Sequence, residues 1–425
     1  MKPKLCLIWI TLIFVRLNFS HAQYADRQSE PIQNDTLMGD LPESINEDLL
    51  SLLESWHIDN FTKPEENCLD EETDTFFPDS IYRKRMQSLP FLILMNYNET
   101  VRKCIDLYAG KMRNKVRYMM GMSCYYFPMI EQKLDKAGLP VELKYLTIVE
   151  SALNPVARSH KGACGLWQFM LPTAKNSGLE INSLIDERFD PVRSTDAACI
   201  YFQRLYDIFK NWHLAIAAYN CGEGAVLRAI RRSGGNRDFW RIYPHLPRET
   251  RSYLPYYMAA AYVMEYHEEH GICPIMPDFS VSIDTLMVER NLTFEQIANI
   301  LQIDKETIKF YNPQYKREII PGSIKPSTLC LPVKNLYTDI EDGKDSARTS
   351  RLDELMAVCT PAADAETEQI QTDEPQYISY TVKSGDTLSG IASKYRGVTV
   401  KKIQTANKMT TTRLKIGQIL KIPQA

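Results

Sequence analysis

The sequence predicts a mainly α-helical domain followed by two small α+β modules with the order strand, helix, helix, strand. Three observations carry this. From about residue 76 to 270, apolar side chains recur at helical spacing and no convincing run of alternating strands interrupts them. Two C-terminal stretches share the spacing of their landmark residues, as an internal repeat does. One carboxylate, Glu150 in "ELKYLTIVESALNP", falls on the apolar side of a predicted helix.

The chain has 425 residues, 44% hydrophobic and 24% charged, a globular mixture long enough for two or three folded units. Residues 1–22 combine Lys2 and Lys4, an apolar run from Leu5 to Val15, and small Ser20 and Ala22 before Gln23. This pattern predicts a secretory signal peptide and hence an exported protein. An uncleaved anchor is the alternative, so membrane association stays open, although the run is shorter than the ~20 residues a spanning helix needs. No Cys stands at the cleavage point and Cys6 precedes the run, so a lipoprotein anchor is not expected. Cleavage removes three positive charges and takes the formal charge from −3 to −6, which argues against a nucleic-acid partner. The cysteines show neither CxxC nor Cys/His spacing, so no metal is expected, and nine of the ten remain after cleavage, leaving at least one unpaired within the chain.

Residues 23–75 are polar and acidic and read as a partly disordered leader. Helical signals begin at 76. Asn98 is placed to cap "ETVRKCIDLY", with Val101, Ile105 and Tyr108 on one face. Pro140 suits the start of the helix carrying Glu150, and Pro155 follows its end. On that helix Leu143, Leu146, Glu150 and Leu153 fall within a sector roughly 80° wide, opposite Lys144, Thr147 and Ser151. "STDAACIYFQRLYDIF", "WHLAIAAYN", "GAVLRAIRRS" and "TRSYLPYYMAAAYVMEYH" continue the helical block to 270.

The modules span 280–333 and 377–425. Ten residues separate Ala298 from Ile308 and eleven separate Ala392 from Ile403; four then lead to Asn312 and Asn407, and ten more to Gly322 and Gly417. Between the modules, 334–376 is acidic and poor in large apolar residues, as a flexible linker is.

A carboxyl group among apolar side chains loses hydration, which raises its pKa and suits it to donate a proton near neutral pH. A structural Glu tied to an Arg or to backbone is the competing reading. The motifs that follow, "SHKGACGLWQFMLPTA", "AIAAYNCGEG" and "LPRETRSYLPYY", decide between them. Residues 139–257 resemble the catalytic domain of soluble lytic transglycosylases, a lysozyme-like fold. The upstream "IYRKRMQSLPFLILMNYNETV" and "YYFPMIEQKLDKAGLPVELKYL" look more narrowly like the membrane-bound lytic transglycosylase D group. The C-terminal repeat resembles LysM modules, which bind glycans containing N-acetylglucosamine.

By this resemblance Glu150 matches the sole catalytic acid/base and Ser151 its motif partner. Gln168 and Trp167 of "GLWQF" match the cleft wall, Tyr219 and Asn220 of "AYN" the pair facing the catalytic Glu, and Glu249 and Tyr253 of "ETRSY" the last cleft motif. Trp167 and Tyr219 also read as core aromatics and Asn220 as a helix cap, while Asp186, Arg188 and Asp190 of "DERFDP" read as loop-fixing residues. In the last module Gly385, Asp386, Thr387 and Leu388 are the candidate glycan contacts; the earlier module lacks "GDT". Cys164 and Cys221 flank cleft motifs, and a disulfide between them is one expectation against two free thiols.

The resemblance implies cleavage of the glycosidic bond between N-acetylmuramic acid and N-acetylglucosamine in peptidoglycan, leaving a 1,6-anhydro end, in the periplasm or cell envelope of a bacterium and without cofactor. Two rivals stand beside it: a hydrolytic muramidase on the same fold and a non-catalytic peptidoglycan-binding protein. Protein partners have no signature in the sequence.

Overall fold

A computed structural model describes residues 76–333, 353–360 and 377–423, apart from positions 278, 281, 384, 396, 397, 408, 410, 413 and 416. The expected signal peptide and leader lie outside the described residues. The chain divides into two compact units, one up to Thr360 and one beyond it.

The first unit begins with a helical block: α1 (Asp79–Ser88), α2 (Glu99–Ala109), α3 (Arg113–Lys136), a 3-10 turn (Val141–Tyr145), α4 (Leu146–Ser151), α5 (Leu171–Asn176), α6 (Pro191–Phe209), α7 (Trp212–Cys221), α8 (Glu223–Arg232), α9 (Phe239–Ile242) and α10 (Arg248–Glu265). Side-chain caps set several starts. Asn98 accepts from Val101 N at 3.0 Å, Asp190 from Val192 N and Arg193 N, and Asn211 from Leu214 N. Each satisfies backbone donors that a helix start leaves open, and Pro191 suits the first position because it has no N–H to satisfy. α10 is buried on all sides from Ser252 to Val263, so it forms the centre of the block rather than a surface helix.

Two further pieces complete the unit. β1 (Ile283–Val288) pairs antiparallel with β4 (Ser327–Pro332), and β2 (Asn291–Thr293) with β3 (Ile319–Pro321). Between them lie α11 (Phe294–Leu301), opened by a capping box of Thr293 and Gln296, and α12 (Lys305–Tyr311), capped by Asp304. The expected linker is not open throughout: residues 353–359 form a helix whose Leu355 and Cys359, four residues apart on one face, are fully buried in the core of this module. Glu289 N donates to Cys359 O at 2.7 Å.

The second unit has one antiparallel pair, β5 (Tyr377–Thr381) with β6 (Ile419–Pro423), around α13 (Leu388–Ala392) and α14 (Val400–Ala406). Its core gathers Val382, Leu388, Ile391, Ile403, Leu420 and Ile422.

The repeat seen in the sequence has a shared physical basis. Asn312 donates to Ile308 O and Cys330 O and accepts from Cys330 N, all within 2.7–2.8 Å. Asn407 does the same with Ile403 O, Lys421 O and Lys421 N. In each module one carboxamide ties the end of the second helix to the last strand. Asn312 is fully buried, so its replacement leaves partners with no access to water. We expect Asn312→Ala to cost about 2–4 kcal/mol and Asn407→Ala about 1–2 kcal/mol in denaturant unfolding followed by amide exchange in each module. Losses below about 0.5 kcal/mol would mean that these carboxamides do not hold the modules together.

Candidate active site

The helix carrying Glu150 differs from the amphipathic helix that the spacing predicts. Only Leu146–Ser151 is α-helical; the preceding turn is 3-10, and Ala152 and Leu153 adopt left-handed conformations at φ 50° and 63°. Thr147 and Ser151, assigned to a polar side, are fully buried. They tolerate burial because their hydroxyls find carbonyls: Thr147 Oγ1 donates to Lys144 O, and Ser151 Oγ to Thr147 O and Leu166 O. Glu150 is the one residue of α4 that retains exposure, and it opens into a cleft of about 170 Å³. Ser151 does not line that cleft; it locks α4 to the segment that forms one wall.

That wall is the loop 159–170. Gly165 has φ +82°, and a Cβ there would meet Arg188 O at 1.8 Å, so only glycine fits. Cys164 and Phe169 bridge in antiparallel fashion across the turn. Behind it, Arg188 makes a two-pronged buried pair with Asp186, with bonds of 2.9 and 2.8 Å, and also donates to Gly162 O and Phe169 O. Trp167 points away from the cleft. It has no exposure, and its indole N–H donates to Thr195 Oγ1 at 2.9 Å on α6. It is a core residue, corrected from the cleft-wall expectation, because adjacent positions on this tight turn face opposite ways. Its neighbour Gln168, at φ 45°, lines the cleft, with its amide nitrogen bonded to Ala157 O and Gly165 O.

The facing wall comes from α7 and α10. Tyr219 donates to Trp167 O at 2.8 Å and stacks on Phe202, with ring centroids 4.5 Å apart. Asn220 lies inside α7 rather than capping α8, and its Oδ1 accepts from Thr250 Oγ1 at 2.7 Å. Tyr253, nearly fully buried, donates its phenol hydrogen to Glu150 Oε1 in a very short bond. Burial first, and the nearby Glu150 charge second, push the pKa of both Tyr219 and Tyr253 well up. Glu249 also reaches the cleft, where Lys161 pairs with it at 3.2 Å. Lys161, Tyr201, Met170 and Thr173 line the same space; three of them fall within "SHKGACGLWQFMLPTA", yet the sequence singles out none of the four as a contact. For Lys161 the one available signal is its position just before the glycine-rich turn.

Cys164 and Cys221 are free thiols, correcting the disulfide alternative. Cys164 Sγ lies against Gly162 O and Cys221 Sγ against Ala217 O, each held by its own loop or helix. A disulfide occurs instead at Cys273. In the last module, Asp386 accepts from Tyr380 Oη and Lys383 N and pairs with Lys394, while Thr387 caps α13. Gly385 and Thr387 are exposed at this loop. Leu388 is not a surface contact: its side chain is 2% exposed and packs in the module core.

A mainly helical domain that presents Glu150 to a cleft is followed along the chain by two strand–helix–helix–strand modules. Residues 127–241 match the transglycosylase SLT domain, residues 380–423 the LysM domain, and residues 282–342 the LysM-like domain of lytic transglycosylase MltD. The chain is 34% identical over 304 residues to membrane-bound lytic murein transglycosylase D of Escherichia coli K12, covering 70% of this chain and 63% of that relative. It therefore spans less than two thirds of that protein. It is 33% identical over 140 residues to the soluble lytic murein transglycosylase of the same organism, covering 30% of this chain and 22% of that one. The 70 kDa soluble lytic transglycosylase structure from Escherichia coli aligns at TM-score 0.32 and 23% identity, over 42% of this chain and 29% of that one.

Raised phenol pKa values have a consequence at alkaline pH. The buried tyrosines, Tyr219, Tyr253, Tyr108, Tyr126 and Tyr257, hold their protons in the folded chain to a higher pH than in the unfolded chain, where phenols titrate near 10. Above that value the folded state binds more protons than the unfolded, so stability falls as pH rises. We expect the absorbance of these phenolates to appear together with loss of helical circular dichroism; titration of all of them near pH 10 in a chain that stays folded would contradict the burial.

Proposed function

We propose that this chain is a lytic transglycosylase of peptidoglycan that cleaves between N-acetylmuramic acid and N-acetylglucosamine and leaves a 1,6-anhydro end. The single observation that carries the reading is Glu150, within the stretch 127–241 that matches the SLT domain, delivered by a buried helix to a cleft and bound there by the protonated phenol of Tyr253.

The chemistry needs one group to act twice. Glu150 donates its proton to the glycosidic oxygen as the bond from muramyl C1 breaks, and the leaving sugar departs as an alcohol. The substrate's acetamido oxygen stabilises the charge developing at C1. Glu150, now a carboxylate, takes the proton from the muramyl C6 hydroxyl as O6 bonds to C1 and closes the anhydro ring. The proton returns to Glu150 and no water is consumed. Tyr253 donates to one oxygen of the carboxyl group throughout, which holds its orientation when charged and when neutral. Ser151 and Asn220 act as positioning residues, the first by locking α4 and the second by joining α7 to α10. Gln168, Tyr219 and Glu249 offer the glycan its polar contacts.

Glu249 supports a second reading. A cleft with two carboxylates is what a hydrolytic glycosidase uses. Lys161 holds this carboxylate at 3.2 Å, which favours a binding role over that of a second catalytic group.

Export to the periplasm, with the last module tethering the enzyme to the wall, completes the proposal; a tether raises the local glycan concentration without new contacts at the cleft. Among the described residues no helix is long and apolar enough to cross a membrane.

Mass spectrometry of the products released from purified peptidoglycan tests the reading. Fragments one water lighter than hydrolytic ones and resistant to borohydride are expected, with Glu150→Gln slowing release by roughly 10²–10⁴-fold while wall binding persists. Reducible fragments would support the hydrolase, and wall binding without release the binding protein.

A further inference from the structure

We infer that the module formed by residues 283–332 supports the enzyme's cleft, holding its wall in place from behind, with Lys316 as a positioning residue. This rests on the activity proposed above.

The module meets the helical block at two places. On one side Tyr125 of α3 packs against Phe279 and Phe310, with ring centroids 5.3 and 6.5 Å away. On the other, its loop after α12 is stitched to the loop after α5 as though the two were strands of one sheet. Asp186 N donates to Gln314 O at 2.9 Å, Lys316 N to Leu184 O at 2.8 Å, and Ile185 faces Tyr315 in an antiparallel bridge. Ile185 belongs by sequence to the helical block but is buried in the module's core, beside Phe294 and Tyr315. The Lys316 ammonium donates to Asn182 O at 2.6 Å and lies 3.9 Å from the Asp186 carboxylate.

The stitched loop continues directly to the cleft. Asp186 fixes Arg188, and Arg188 holds Gly162 O and Phe169 O at the two ends of the turn that carries Gln168. A module free to recognise glycan at a distance would need none of these bonds; a module that sets the position of 162–169 needs all of them. Small displacements of positioning groups are costly to reaction rate, because the acid must meet the glycosidic oxygen in a narrow geometry.

The test uses the full chain and a soluble tetrasaccharide of alternating N-acetylglucosamine and N-acetylmuramic acid, on which wall anchoring confers no advantage. Lys316→Glu, which sets a second carboxylate beside Asp186, is expected to lower kcat roughly tenfold with KM within about twofold. Lys316→Arg is expected to restore the rate, and sedimentation with insoluble peptidoglycan to stay unchanged. Amide exchange at Gly165 and Phe169 is expected to accelerate in Lys316→Glu, a readout independent of turnover. Lys316→Ala carries the comparison if the charge reversal does not fold. Unchanged kcat and unchanged exchange, or lost wall binding at unchanged kcat, would overturn the inference. If the unaltered chain does not cleave the tetrasaccharide, the enzyme reading fails, and the exchange measurement still decides whether the module holds the wall.

Discussion

The buried pair between Asp186 and Arg188 is the constraint on which the rest of the site depends. Both side chains are almost completely removed from water. Two charges so placed are tolerated only when they satisfy each other and when the remaining donors find acceptors. Arg188 meets that condition with the carbonyls of Gly162 and Phe169, and in doing so it fixes the turn whose Gly165 presses against its own backbone. Removing either partner would leave a buried charge uncompensated, a loss of roughly 3–5 kcal/mol. Two elements therefore meet at one ion pair: the cleft wall, through Gly162 O and Phe169 O, and the first module, through Gln314 O and Lys316.

A second constraint operates on α4, which Ser151 ties to the same wall through Leu166 O. α4 is a helix of six residues, too short to hold itself together, and its conformation is imposed by burial. Its two hydroxyl residues make that burial affordable by bonding to carbonyls within the helix and across to Leu166. The backbone then turns away at Ala152 and Leu153, which leaves Glu150 at the edge. Glu150 keeps its exposure while its neighbours on the helix are buried, Val149 among them at the cleft's floor. Tyr253 meets it from α10, the most deeply buried helix in the block, so the phenol and the carboxyl group are each held by an element with little freedom to move.

Much of this was legible in the sequence, and the parts that were not share a cause. The helix start marked by Asn98 is a local feature, set by a side chain and the backbone next to it. The repeat was legible through the spacing of Ala298, Ile308, Asn312 and Gly322, since each holds a fixed place in its module. The class of the catalytic domain followed from several motifs in order. What failed was direction at the short helix and the tight turns, although the face of Val101, Ile105 and Tyr108 is buried as the spacing predicts. Thr147 and Ser151 look polar and are buried; Trp167 and Gln168 are adjacent and face opposite ways; Leu388 follows a surface loop but turns into the core. Which way a side chain points depends on what lies across from it, and tight turns break the helical period that spacing arguments require. Leu355 and Cys359 were hidden by the acidic residues around them, because a short apolar face counts for little in a composition average. Lys161 lies inside the motif "SHKGACGLWQFMLPTA", where nothing about its residue type said that it faces the cleft.

The two modules show how one small fold can serve opposite ends. Both keep the asparagine that joins helix to strand, and both keep a buried isoleucine four residues before it. The first adds the short β2–β3 pair, receives Ile185 from the helical block, and is covered by the helix at 353–359. Its surface is spent on neighbours within its own unit. In the second, Gly385 and Thr387 remain exposed, while Asp386 fixes the loop from within by bonding Tyr380 and Lys394. A loop that is rigid and open suits a ligand that arrives from outside, because little ordering is lost on binding. A module whose edges are already occupied suits permanent assembly. The same spacing of residues thus specifies the fold of both modules, and the partners of their edges separate a module built into its unit from one whose loop stays open.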